Sequence, residues 1–165
     1  MAYTPSSLIS VKSIDLLNLR IKQEQDSSRL YQQMSLWFDN KGYINLKTLY
    51  SKYAKEELEH AEWSITYLLN FGIIPTLRSL EAPVYIFENP LDIFKKTLAH
   101  EEFITKEINK VGEEAIKEKD FMLFDLILKY QREQQEEIGK AITLLDIASL
   151  TSDDLILDTY ISKLL

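Results

Sequence analysis

The chain has 165 residues, 45% hydrophobic and 27% charged, which fits one globular domain with its own core and excludes disorder or two full domains. Four glycines and four prolines are about half of ordinary usage, favouring long helices over turn-rich sandwiches and barrels; zero cysteines exclude disulfides, thiolate metal sites and cysteine nucleophiles. A formal net charge of -7 at pH 7 repels phosphate backbones, so nucleic acid is not expected as a partner, and it attracts cations.

The first periodic segment runs from about Ser13 to Asp39, with Ile14, Leu17, Ile21, Tyr31 and Phe38 at steps that fit a helix of roughly seven turns. Gly42 suits the left-handed position that ends it. A second helix, about Tyr43 to Asn70, repeats the spacing through Leu46, Tyr50, Tyr53, Tyr67 and Phe71 and closes at Phe71-Gly72. Residues 73–89 lose the period and contain Pro75 and Pro83, which reads as a long crossover. Asn89-Pro90 opens a third helix through Leu91, Phe94, Leu98, Thr105 and Ile108 to about Lys119. Asp120 caps a fourth carrying Phe124, Ile127, Tyr130, Ala141, Leu144 and Ala148, with Gly139 tolerated at some cost. Thr151-Ser152-Asp153-Asp154 resembles a capping box and starts a short fifth helix, roughly Leu155 to Leu164.

The expected fold is all-α: a four-helix bundle with one long crossover between helices two and three and a short C-terminal fifth helix, the ferritin-like pattern. One domain over 1–165 is expected, with an N-terminal extension at 1–12 and the fifth helix within 152–165. Residues 1–7 have no basic start or apolar run of signal-peptide length, and no segment has the length and apolarity of a membrane span. A cytoplasmic location and no membrane partner are therefore expected.

What interrupts the apolar seams carries the chemistry. Glu24 follows Ile14, Leu17 and Ile21 on the first helix; Glu57 and His60 fall between Tyr53 and Ser64; Glu101 between Leu98 and Thr105; Gln134 and Glu137 between Tyr130 and Ala141. Each break lies near the middle of its helix, so the four converge on one level of the bundle, and no lysine or arginine stands on the same seam positions. Buried carboxylates need protons or cations, so either some acids are protonated or divalent metal lies among them. Oxygen ligands with one imidazole suit iron or manganese and, less selectively, zinc and cobalt. Glu57 and His60 are three apart and share a helix face; Tyr31 lies on the face of Glu24 and can hydrogen-bond a ligand or supply an electron. Glu56, Glu133 and Glu136 singly read as a solvated face, and Trp37 and Trp63 as packing residues.

The chain resembles the non-haem bacterial ferritins from about Val11 to Leu165. The resemblance rests on Gln23-Glu24-Gln25-Asp26-Ser27-Ser28, Leu30-Tyr31-Gln32-Gln33-Met34-Ser35, Glu56-Glu57-Leu58-Glu59-His60, His100-Glu101 with Ile104-Thr105, and Glu133-Gln134-Gln135-Glu136-Glu137. It implies a ferroxidase centre in which Glu24 and His60 bind a first iron, Glu101 and Glu137 a second, and Glu57 bridges them. Glu56, Glu133 and Glu136 with Glu137 resemble a third, inner iron site, and Gln134 and Tyr31 would stand beside the diiron pair. It further implies Fe(II) oxidation by dioxygen or hydrogen peroxide, storage of a ferric mineral, and a hollow homo-oligomer of twenty-four chains whose fifth helices line the four-fold axes. Gln134-x-x-Glu137 replaces the second Glu-x-x-His of haem-binding bacterioferritins, so no haem is expected. The alternatives are a diiron oxidoreductase of the same fold without iron storage, and a structural bundle whose central acids are protonated or water-filled.

Overall fold

The computed structural model describes residues 8–165; residues 1–7, which include most of the expected N-terminal extension, lie outside the described residues. Helix α1 spans Val11–Lys41, α2 Ile44–Asn70, α3 Pro90–Glu118, α4 Phe121–Leu150 and α5 Asp154–Ile161, followed by a 3₁₀ turn over Ser162–Leu164. The bundle with its crossover and fifth helix is as expected, and α1 starts two residues before Ser13 because Ser10 caps it through the Ser13 amide at 3.0 Å.

Local chemistry sets the helix ends. Asn89 accepts from the Asp92 amide and Asp120 from the Leu123 amide, both at 2.9 Å, and Asp153 accepts from the amides of Leu155 and Ile156, satisfying donors that a helix start leaves free. Gly42 adopts φ 85° and returns its amide to Asp39, a conformation that costs a residue with a Cβ about 1 kcal/mol or more. Helix α2 differs: its N-cap, Tyr43, makes no side-chain cap bond. Asp158 of α5 supplies it instead, accepting from the Leu46 amide at 2.8 Å and the Asn45 amide at 3.1 Å while only 6% exposed.

Helix α1 packs along α2 and α3 along α4, while α5 docks on α2. The interior falls into two apolar clusters. One gathers Met34, Phe38, Leu46, Tyr50, Phe94 and Leu144, from the C-terminal halves of α1 and α4 and the N-terminal halves of α2 and α3. The other gathers Leu17, Ile21, Leu68, Ile108, Leu123 and Ile127 from the opposite halves. Helices α2 and α3 therefore run in the same direction, and residues 73–89, without helix or strand, carry the chain back along the bundle. Gly112 marks a close approach of α3 to α4, where a Cβ would meet Ile127 Cγ2 at 3.2 Å.

The phase of α3 differs from the expected one. Its buried stripe is Ile93, Thr97, Glu101, Ile104 and Ile108, with Leu98 and Thr105 half-buried beside it and Leu91 exposed. A helix of 3.6 residues per turn puts both neighbours of a stripe near the boundary, and hydrophobicity alone selects Leu98 over the truly buried Thr97. Among the described residues, no helix is long and apolar enough to cross a membrane.

Because the first turn of α2 borrows its cap, Asp158→Ala removes two backbone acceptor contacts at once. The expected result is a loss of about 1–2 kcal/mol of stability with faster proteolysis of residues 154–165, read by denaturant titration and limited digestion.

Candidate metal centre

Between the two apolar clusters lies a polar belt contributed by all four long helices. Glu24 on α1 is 1% exposed, Glu57 on α2 and Glu101 on α3 are 3% exposed, and Gln134 on α4 is 2% exposed. His60 is buried one turn after Glu57, with Nδ1 at 3.2 Å from Glu57 Oε2 and 3.6 Å from Glu137 Oε1, and Nε2 at 3.9 Å from Glu133 Oε1. Three sets of ligand atoms each fall within 4.8 Å of one another: Glu24, Glu57 and His60; Glu57, Glu101 and Glu137; and His60, Glu133 and Glu137. Glu57 belongs to the first two.

Neighbouring donors hold these acids in place. Tyr31 Oη donates to Glu101 Oε1, and Gln134 Nε2 donates to Glu101 Oε2 at 2.6 Å. The Tyr31 ring stands edge-on to Tyr50, Tyr53 and His100, and His100 Nε2 lies 2.7 Å from Ser27 Oγ. Trp37 packs among Phe38, Tyr43 and Phe87, as a packing residue should. Trp63 lies 4.7 Å from the His60 ring, with Lys129 Nζ 3.7 Å from its own centroid, so it also walls the histidine.

The electrostatics of the belt are those of anions short of compensation. Burial pushes the Glu101 carboxyl above its ordinary range, against the opposing effects of the Gln134 hydrogen bond and the Arg20 and Lys140 charges. Burial raises Glu137 further, reinforced by the charges of Glu57 and Glu101. Glu24 Oε2 is buried without a hydrogen-bond partner. A cavity of about 10 Å³, room for one water or one ion, is bounded by Glu57, Glu101 and Glu137 with Tyr31, Tyr53 and Lys140. An orphaned carboxylate oxygen, an ion-sized void and an oxygen-rich donor set with one imidazole fit divalent iron or manganese, and less selectively zinc.

The expectation that no basic residue joins the belt is corrected. Arg20 is 1% exposed and its Nη2 donates to Glu24 Oε1, because a residue four positions before Glu24 stacks over it on the helix. The spacing Arg20-x-x-x-Glu24 was the available signal. Lys140 also borders the belt, lining the cavity beside Glu57, Glu101 and Glu137. The inner acid set is only partly gathered: Glu133 and Glu137 meet at His60, Glu56 is half-buried with Lys52 at 4.0 Å and Lys140 at 3.6 Å, and Glu136 is exposed and outside all three groups.

A crossover four-helix bundle with carboxylates and a Glu-x-x-His pair converging at mid-height is the ferritin-like class. The chain belongs to the ferritin family: residues 14–150 match the ferritin-like domain. It is 31% identical over 147 residues to a probable bacterial non-heme ferritin-like protein of Haemophilus influenzae, covering 89% of each chain. It is 35% identical over 130 residues to a bacterial non-heme ferritin of Campylobacter jejuni, covering 79% of this chain and 78% of the relative. Among solved structures, an open pore ferritin from Archaeoglobus fulgidus superposes with a TM-score of 0.91 at 30% identity, covering 95% of this chain and 98% of that one.

Carboxyls that hold protons more tightly folded than unfolded make the folded state lose stability as pH rises. From the ordinary carboxylate range of about pH 4–5 upward through the raised values of Glu101 and Glu137, the metal-free protein therefore becomes less stable. Glu137→Gln keeps the shape and removes the charge. Metal-free Glu137→Gln is expected to melt about 2–4 °C higher, most clearly above neutral pH, and to show a flatter dependence of Tm on pH in thermal scans with chelator from pH 5 to 9.

Proposed function

We propose that the chain is an iron-storage ferritin with ferroxidase activity, and that the belt is its diiron centre. Ferrous iron is the substrate. Glu24, Glu57 and His60 bind one ion and Glu57, Glu101 and Glu137 the other, with Glu57 shared. The observation that carries this reading is that Glu57 belongs to the two most buried of the three ligand groups, with Glu137 linking the second of these to the third, and a shared carboxylate is what two close cations require for mutual charge compensation.

The reaction class follows from the metal. Two ferrous ions give one electron each to dioxygen, which leaves as hydrogen peroxide after taking two protons; hydrogen peroxide as oxidant takes two electrons and two protons and leaves as two waters. The chain's residues bind and orient the ions. Tyr31 and Gln134 fix the Glu101 carboxylate through its two oxygens, and Tyr31 is also a one-electron donor within reach of that ligand. The void beside Glu101 and Glu137 is ion-sized, which supports iron rather than an organic substrate as the occupant. Glu133 with Glu137 and His60 supports an inner iron position to which Glu56 and Glu136 contribute only by moving.

Storage requires a container, and we infer a closed shell of twenty-four chains located in the cytoplasm. Apolar side chains that a lone chain leaves in water support assembly: Val84, Tyr85 and Ile86 on the crossover are 56%, 69% and 71% exposed, and Leu155 and Ile156 on α5 are 76% and 58% exposed. The inferred place of α5 is at the four-fold axes.

Aerobic addition of ferrous iron to the purified protein tests the reading. Oxidation is expected well above the buffer rate, with iron loading far beyond two per chain in a particle of shell size by size-exclusion with mass detection. Glu57→Ala, which breaks both ligand groups, is expected to slow oxidation by about 100-fold while leaving the helical content intact. A rate equal to buffer for the unaltered protein would defeat the proposal; a dimer holding two irons per chain would favour the diiron oxidoreductase.

A further inference from the structure

Arg20 introduces a permanent cation on one side of the belt. Its Nη2 donates to Glu24 Oε1 and its Nη1 to Gln23 Oε1 at 2.6 Å. Gln23 is in turn anchored, its Nε2 donating to Glu107 Oε2 at 3.0 Å. The guanidinium carbon lies 5.5 Å from the centroid of the Tyr130 ring, and Tyr130 is fixed by donating to the His60 carbonyl at 2.6 Å. Two buried atoms of this ion pair lack hydrogen-bond partners: Arg20 Nε and Glu24 Oε2. A guanidinium keeps its charge in protein surroundings, and at 1% exposure this one has no route to water.

The two ligand groups consequently differ in charge environment. Glu24 with Glu57 and His60 includes the carboxylate that Arg20 holds by direct contact; in the group of Glu57, Glu101 and Glu137 the same charge reaches Glu57 and Glu101 only through space, with no ligand oxygen occupied by it. Lys140 borders the second group, but its side chain is 37% exposed and lies 3.6 Å from Glu56, so a flexible stem can carry its ammonium into water when a dication arrives. Ligand type alone would rank the groups the other way, since the imidazole of His60 is the better donor for iron, cobalt or zinc. Charge opposes that ranking, and in a dry site it is weakly screened.

Resting on the diiron reading above, we propose that Arg20 sets the order of filling: the Glu57, Glu101 and Glu137 half takes the first divalent cation, and the Glu24, Glu57 and His60 half takes the second, more weakly, because the incoming ion shares Glu24 with a buried guanidinium. Arg20 is a positioning and selectivity residue. It fixes Glu24 with Oε2 left available, at the expense of affinity on its own side. The first ion would then sit on the side of Lys140, which lines the cavity of that half, and the half beside Arg20 would stay open for exchange.

Co2+ added to the full-length metal-free protein under argon, followed by calorimetry and by visible ligand-field bands, tests the order. Two classes of binding per chain are expected, separated by about tenfold or more, with His60→Ala removing the weaker class and leaving the tighter one. Arg20→Gln is expected to strengthen the weaker class by about tenfold and narrow the gap, whereas Arg20→Lys, which keeps the charge, preserves it. Loss of the tighter class in His60→Ala, an unchanged gap in Arg20→Gln, or equal narrowing in Arg20→Lys would overturn the proposal. Should Arg20→Gln fail to fold, the unaltered protein and His60→Ala still decide the order. Two equal classes in the unaltered protein would defeat this inference alone; absence of Co2+ binding in either half would defeat the diiron reading as well.

Discussion

Carboxylates brought into a dry interior repel one another and resist losing water, and that repulsion governs this bundle. Glu24, Glu57, Glu101 and Glu137 come from four different helices, so relief by local side-chain movement on one helix leaves the other three facing each other. Compensation is open to the bundle in three forms: protons on Glu101 and Glu137, whose affinity burial raises; the guanidinium of Arg20 on Glu24; and, on the function proposed above, metal cations. These compete for the same oxygens. The metal-free chain is thus held in a charge state that an arriving dication could replace with little rearrangement, because within each group of three the ligand atoms already stand within 4.8 Å of each other.

The neighbours of the belt fit the same requirement. Glu101 is gripped through one oxygen by Tyr31 and through the other by Gln134, and Tyr31 is itself braced by three rings. Oriented donors of this kind limit the rotamers open to a ligand. On the opposite side, Tyr130 ties α4 to α2 through the His60 carbonyl and Ser64, which fixes the backbone at the histidine. The family relationship, with residues 14–150 matching the ferritin-like domain, and the superposition on the archaeal ferritin at a TM-score of 0.91 show that the bundle carrying this belt is the ferritin one.

Much of this was legible in the sequence because helices announce themselves through period and punctuation. Asn89-Pro90, Asp120 and Gly42 sit at helix ends where their chemistry puts them, whereas the fifth helix is capped by Asp153 and not by Thr151 as a capping box over 151–154 would have it; acids interrupting an otherwise apolar stripe stand out at any phase. What was not legible depended on contacts between distant segments. Asp158 capping α2 joins residues 112 positions apart, and nothing local to Tyr43 signals it. The buried stripe of α3 was displaced by one residue because Thr97 is buried through hydrogen bonds to Tyr50 and the Ile93 carbonyl, not through hydrophobicity. The burial of Arg20 is hidden from the sequence for the opposite reason: an arginine beside a seam ordinarily extends to solvent, and only the anionic interior draws it inward. The inner acids Glu56 and Glu136 share helix spacing with the site, yet Glu56 is engaged by lysines and Glu136 points outward.

The polar belt also divides the hydrophobic interior into two separate clusters, one at each end of the bundle. Apolar contact is interrupted at that level, where the two ends are joined by the four continuous helices and by polar contacts such as those of Tyr31 and Gln134 with Glu101. A cation bonded to side chains of several helices acts as a rivet through the middle of the molecule. Held there, it would join the helices at the one level where apolar contact is missing, so that part of the bundle's cohesion would belong to the cargo-laden state rather than to the polypeptide by itself.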